Sequence, residues 1–163
     1  MRQKYIFIIF SLFVFICFAF KTDKNYNKYC NARLQFCVEY PKEFKGQGEP
    51  TNGDGQIFLS EDKHSEIRAF GHIAVEDFDK IEQEYKTASN GINVTYKLIK
   101  KTWFIFSGID KNGQIIYSKT VKKKLMNYMN NDSQEVFQTL MITYPSSQKN
   151  LYNTYCDKIS KSL

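Results

Sequence analysis

Polar and apolar positions alternate with period two in residues 29–41: Val38 and Tyr40 fall on one side, Cys37 and Glu39 on the other. That period predicts a short β-hairpin with a cysteine on each arm. Pro41 closes the second arm because it brings no N–H to a ladder. The hairpin is expected to open a sheet that later elements pack against or pair with. Residues 42–55 read as loop, with Gly46, Gly48, Pro50 and the Asn52-Gly53-Asp54-Gly55 run that favours tight turns. Strands are predicted over 56–60 and 66–75, the second placing Ile67, Ala69, Gly71 and Ile73 on one face with a bulge at Gly71. The period then changes. Phe78, Ile81, Tyr85 and Ala88 recur at helical spacing, predicting a helix over 76–90. Glu76, Asp77 and Asp79 suit the positive end of its dipole, and Asn90-Gly91 supplies the stop.

Strand periodicity returns after that stop. Residues 93–100 set Val94, Tyr96, Leu98 and Lys100 on one side. Residues 102–109 are apolar on both sides, Trp103 and Ile105 against Phe104 and Phe106. The Asp110-Lys111-Asn112-Gly113 turn carries the Asn-Gly hairpin signal. A long strand over 114–126, a polar turn over 127–133 and a last strand over 134–144, stopped by Pro145, complete the series. Ser146 or Ser147 then caps a final helix with Tyr152, Cys156, Ile159 and Leu163 along its apolar stripe. Short turns between strands predict antiparallel pairing, and two amphipathic helices predict a covered sheet. The fold class is α+β, a single domain.

The first twenty residues belong to none of this. Arg2 and Lys4 precede sixteen residues without a charge. That run is short for a membrane span of about 20 residues. A positive start, apolar middle and small residues near the end match a secretory signal peptide. Cys17 and Ala19 stand at −3 and −1 of a cut before Phe20; a retained anchor and acylation at Cys17 are the alternatives, though Phe15 and Ile16 are bulky for a lipobox. The expected organisation is a signal peptide over 1–19, a linker over 20–28 and one domain over 29–163. The protein is thus expected to be exported, periplasmic or secreted, with no stable membrane span after cleavage.

Composition changes this picture little. The chain is 42% hydrophobic and 25% charged, the balance of an ordinary globular protein. Without Arg2 and Lys4 the formal charge of +6 falls to +4. With so mild an excess, and almost all of it lysine, no nucleic-acid partner is expected. The distribution says more: residues 61–84 hold eight acidic and three basic groups, residues 86–124 one acidic and nine basic. Lys122, Lys123 and Lys124 lie in the basic block and are the candidate docking site for an acidic protein. Lysines that discourage edge pairing are the plainer account of them.

An aromatic-rich opening hairpin ending in Tyr40-Pro41, a mid-chain helix, an Asn-Gly hairpin and a closing Tyr144-Pro145 strand follow one another in that order. A terminal helix ends with Tyr155, Ile159 and Lys161-Ser162-Leu163. Over residues 28–163 this order resembles the PsbP-like family, named for an extrinsic photosystem II subunit and sharing its fold with a Ran-binding nuclear import factor. The resemblance implies an antiparallel sheet sandwiched by helices (α/β/α) and a non-enzymatic role in protein association. It carries over no functional residue.

Of the candidate chemistry, the cysteines are the most informative. Cysteines of exported proteins tend to be oxidised. Cys30 and Cys37 could face each other across the hairpin, or Cys156 could pair with either and staple the last helix to the first strands. One thiol is left over in each case. A cysteine nucleophile would need His64 or His72, which fall in a polar turn and a strand. The histidines have no zinc-motif spacing. The two Asp- and Asn-rich turns lack the acidic series of a calcium loop. Glu76, Asp77, Asp79, Glu82 and Glu84 are explained by helix capping rather than acid–base work, and no phosphate loop or nucleophile elbow is present. No catalytic, metal or cofactor site is expected. The leading reading is an exported, non-enzymatic protein-binding domain, either an assembly factor or an immunity-type protein. A small secreted hydrolase and a small-ligand or lipid carrier are the alternatives.

Overall fold

The computed structural model describes residues 25–75, 80–128 and 133–163. Nine strands are described in order: β1 (Tyr26–Asn31), β2 (Phe36–Pro41), β3 (Lys45–Gly46), β4 (Gly55–Leu59), β5 (Glu66–Ile73), β6 (Asn93–Ile99), β7 (Trp103–Ile109), β8 (Gln114–Met126) and β9 (Ser133–Pro145). Helix α1 (Ile81–Ala88) lies between β5 and β6. Helix α2 (Lys149–Ile159) follows β9 after a tight turn of 3-10 helix, Ser146–Gln148. The fold is α+β. Strands β3 to β9 form one antiparallel sheet in the order β3-β4-β5-β9-β8-β7-β6, while β1 and β2 make a separate two-stranded sheet.

The large sheet is covered diagonally. Strand β9 alternates, sending Val136, Gln138, Leu140, Ile142 and Tyr144 to one face and Phe137 and Thr139 to the other, all buried. The first face meets the β1–β2 hairpin and α2. Leu34, Phe36, Val38, Phe58, Ile67, Ala69, Leu140, Ile142, Tyr152, Cys156 and Ile159 form one core there. The second face meets α1, whose Ile81, with Tyr85 and Ala88 beside it, packs on Phe104, Phe106, Ile116 and Phe137. Hairpin and α2 therefore lie over β4, β5, β9 and β8, whereas α1 lies over β9, β8 and β7.

The hairpin is a lid, not the first edge of the sheet. Its β1 register runs from Tyr26 opposite Pro41 to Asn31 opposite Phe36. Tyr26, Asn27 and Lys28, expected in the linker over 20–28, are therefore paired strand. The tip is seated by side-chain bonds: Asn31 Oδ1 accepts from the Leu34 N–H at 2.7 Å, and Gln138 Nε2 donates to the Leu34 carbonyl at 2.8 Å. Leu34 is fully buried and lies over Gly71. A Cβ on Gly71 would stand 3.0 Å from Leu34 Cδ1 and 2.3 Å from the Phe137 carbonyl oxygen. The glycine that reads as a bulge is instead a site of close approach, paired in register with Gln138.

Other expectations shift for local reasons. Strand β3 falls inside the expected loop, because two residues paired to β4 leave no periodicity to read. Helix α1 is described only from Ile81, so Glu76, Asp77, Phe78 and Asp79 lie outside the described residues; Glu82 and Glu84 are the acidic groups of its first turn. Ser146 and Ser147 sit in the 3-10 turn, and Gln148 precedes α2 without a side-chain cap. A bulge between Val94 and Tyr96 moves Val94 to the α1 side, away from Tyr96 and Leu98.

Gly71→Ala forces a methyl group against main chain at the β5–β9 seam. It is expected to lower stability by about 1–3 kcal/mol, the usual cost of overpacking, read as a lower urea midpoint at unchanged slope. An unchanged midpoint would mean that the Phe137 carbonyl does not close on Gly71.

Candidate protein-docking face

Among the described residues, diagonal covering leaves half of the hairpin-side face open. Beyond α2 the sheet continues through β7 and β6, whose outward positions on that face are mostly apolar, Ser107 excepted. Tyr96 is 55% exposed and Ile109 40%; Leu98, Trp103, Ile105 and Val121 are half-buried. In register they form rows: Trp103 beside Val121, Leu98 beside Ile105 and Lys119, Tyr96 beside Ser107 and Tyr117. The opposite side of the same strands carries Phe104 and Phe106 into the α1 core. Strand β7 is thus apolar on both sides although only one is covered.

Lysines border one end of this face. Lys100 and Lys101 stand in the β6–β7 turn and Lys123 at the far end of β8, all exposed. Lys119 is held down, its Nζ donating to the main-chain oxygens of Ser160 and Leu163 at 2.6 Å each. Burial, with Lys123 nearby as a second cation, lowers its pKa below the ordinary lysine value. The pleat divides the Lys122, Lys123 and Lys124 candidate. Lys123 points to the open face, while Lys122 and Lys124 point to the α1 side. There Lys122 Nζ pairs with Glu135 at 2.7 Å and lies 5.7 Å from the Phe137 ring centre. A run of three adjacent lysines on a strand cannot form one patch.

The other candidates separate in space. Cys30 and Cys37 are a directly opposed pair in the hairpin ladder and are joined by a disulfide. Cys156 is a buried free thiol in the α2 core. Burial pushes its pKa up to about 12 and raises that of neighbouring Tyr144 as well. His72 lies on the opposite face, its ring tilted against Phe137 and its Nε2 3.5 Å from Glu84 of α1. His64 sits in an exposed turn 3.4 Å from Asp62. No histidine therefore reaches Cys156. Asp54 is engaged by Arg33 and Asn52, and Asp110 accepts from the Asn112 and Gln114 N–H groups; both turns use their carboxylates on themselves. Among the described residues no group of three or more His, Cys, Asp or Glu could hold a metal ion. None of their helices is long and apolar enough to cross a membrane.

One cleft of about 460 Å³ opens on the α1 side of β4 and β5, floored by Ile57 and Phe70 with Arg68, Gln47 and Glu49 at its rim. Arg68 is taken by Glu66, and Glu49 accepts from the Tyr29 hydroxyl. Its polar groups are thus turned to structural partners, whereas the lysines of the open face flank an apolar surface.

No family model matches the chain, and none of the curated proteins does. Among solved structures, the solution structure of cyanobacterial PsbP (CyanoP) from Synechocystis sp. PCC 6803 superposes with a TM-score of 0.53 at 9% identity, covering 85% of this chain and 91% of that one. The fold is PsbP-like. At that identity the likeness speaks for the order and packing of elements, not for any side chain. In this PsbP-like sheet only the basic character of the β6–β7 half is legible in sequence, in the block over 86–124. That Tyr96, Trp103, Ile105 and Ile109 stay uncovered is not, because it depends on where α2 stops.

The raised thiol pKa of Cys156 fixes the sign of one pH effect. A group that folding holds neutral adds stability fully below its unfolded pKa, near 9 here, and loses it as pH climbs toward 12. At pH 8 the native chain is expected to leave the Cys156 peptide unlabelled by iodoacetamide, and the urea-unfolded chain to label it. Equal labelling rates in both would contradict the burial.

Proposed function

We propose that this chain is an exported, non-enzymatic protein-binding module that docks an acidic partner on the open basic half of its sheet. The observation that carries the reading is the apolar surface of Tyr96, Trp103, Ile105 and Ile109, bordered at the Trp103 end by Lys100, Lys101 and Lys123. Aromatic anchors with a charged rim are the composition that protein interfaces favour, and lysines at the rim steer an acidic partner toward it. Of the Lys122–Lys124 candidate, Lys123 is the member that serves this face. Export is supported by the charged and apolar leader over 1–19 and by an exposed disulfide, which suits an oxidising compartment. A PsbP-like scaffold whose free thiol is buried and whose histidines stand away from it fits binding better than hydrolysis. The role is that of an assembly factor or an immunity-type protein.

Capture from the native envelope at low salt tests this with the full chain against a Lys100→Glu/Lys101→Glu/Lys123→Glu variant of equal melting temperature. Wild type is expected to retain an acidic protein that elutes as salt is raised. Recovery on the variant should fall about tenfold or more, since each reversal replaces an attraction by a repulsion. The same proteins recovered in equal amount by both would overturn the reading.

A further inference from the structure

Strand β6 is the outer strand of the large sheet, with β7 as its neighbour. In an antiparallel ladder, successive residues turn their main-chain groups alternately toward and away from the neighbour. The Lys100 N–H donates to the Trp103 carbonyl at 2.8 Å, and the register continues with Leu98 opposite Ile105 and Tyr96 opposite Ser107. Tyr96, Leu98 and Lys100 therefore bond inward to β7. Lys97 and Ile99 aim their N–H and C=O groups at the open edge. The opposite edge of the sheet offers nothing comparable: β3 is two residues long, and the Gln47 N–H closes on the Ile57 carbonyl at 2.9 Å.

The two sides of β6 differ in kind. Tyr96 and Leu98 extend the apolar rows of the open face, whereas Lys97 lies on the α1 side, its Nζ 5.7 Å from the Tyr85 ring centre. A second copy pairing β6 to β6 in parallel would set Lys97, Lys100 and Lys101 beside their own counterparts, and in antiparallel would still crowd two copies of Lys97 onto one short edge, the repulsion by which edge lysines discourage such pairing. An acidic strand meets no such repulsion.

We infer that β6 binds an extended acidic segment of the partner by strand addition, the segment alternating apolar residues with Asp or Glu. This rests on the docking reading above and specifies its mode. The apolar residues continue the rows of Tyr96 and Leu98 across the open face, and the carboxylates lie beside Lys97. Main-chain bonds to Lys97 and Ile99 hold the segment, as in other cases of strand addition to a sheet edge. The bulge between Val94 and Tyr96 and the turn at Lys100 bound the regular edge, so the paired stretch is short.

The test uses the folded chain and a fluorescent nine-residue peptide alternating valine and glutamate, followed by anisotropy at low salt. Two N-methylated versions accompany it, one methylated on every glutamate and one on every valine. Only one alternate set of N–H groups faces β6, so one version should bind at least tenfold more weakly and the other within twofold of the parent. Loss on the glutamate set marks antiparallel addition and loss on the valine set parallel addition. Amide hydrogen exchange at Lys97 and Ile99 should slow when the parent peptide binds. Strand addition is overturned if the parent does not bind, or if both methylated versions bind like it. Partner capture that still depends on Lys100, Lys101 and Lys123 would then leave the docking reading standing. Capture indifferent to those lysines would remove both.

Discussion

Everything on the hairpin side of this protein depends on seating one loop. A lone two-stranded hairpin is marginal in water, and β1–β2 has only its own ladder and the Cys30–Cys37 disulfide until it touches the large sheet. Contact is made through Leu34, buried against a glycine that has no side chain to hold it off. The carbonyl of Leu34 is satisfied by the Nε2 of fully buried Gln138, a donor that would otherwise be costly to enclose. Tyr29 and Tyr40 then pack on Phe58, and Ser162 donates its hydroxyl to no distant group but to Ile159, while accepting from the Glu39 N–H at 2.9 Å. The end of the chain is thereby tied to the hairpin, and α2 is fixed between hairpin and β9.

That seating has a geometric consequence. A hairpin and an eleven-residue helix span β4 to β8, and no element described on that side reaches β6 and β7. On the other face the eight-residue α1 covers the β7 end and reaches only His72 of β5, and among the described residues β4 stays open. Each face is half covered, on opposite diagonals. Among the described residues the half left open at β6–β7 is apolar down its middle and basic at the end where Lys100, Lys101 and Lys123 meet, and β6 ends the sheet with main-chain groups directed outward. Fold and proposed function are joined at that point: the face available for binding is the part of the sheet that the covering elements are too short to hide.

Much of the architecture was legible because period and punctuation agree. The Asp110–Gly113 turn, Pro41 and Pro145 mark strand ends, and the stripe of Tyr152, Cys156 and Ile159 marks the buried side of the last helix. What failed to read was tertiary. Tyr26 to Lys28 are polar enough to look like linker, yet they pair because Pro41 and Glu39 lie opposite. Val94 was grouped with Tyr96 because a bulge shifts register by one residue without a sequence mark as strong as glycine. Lys122, Lys123 and Lys124 looked like one patch because adjacency in sequence is not adjacency on a pleated strand. The open face was hidden for a further reason. Trp103 to Phe106 is apolar on both sides, the pattern of a strand buried on both, and only the reach of α2 shows that one side is not.

Trp103 is the chain's only tryptophan, so its fluorescence reports on the central claim that the β6–β7 half of the hairpin-side face is uncovered. Acrylamide quenching of the folded, isolated chain measures this directly. A half-buried indole on an open face should be quenched at a rate between those of free tryptophan and a core residue, with emission shifted to the red of a core tryptophan. Quenching as slow as that of an enclosed core residue, with blue emission, would show that the face is covered and would contradict the account.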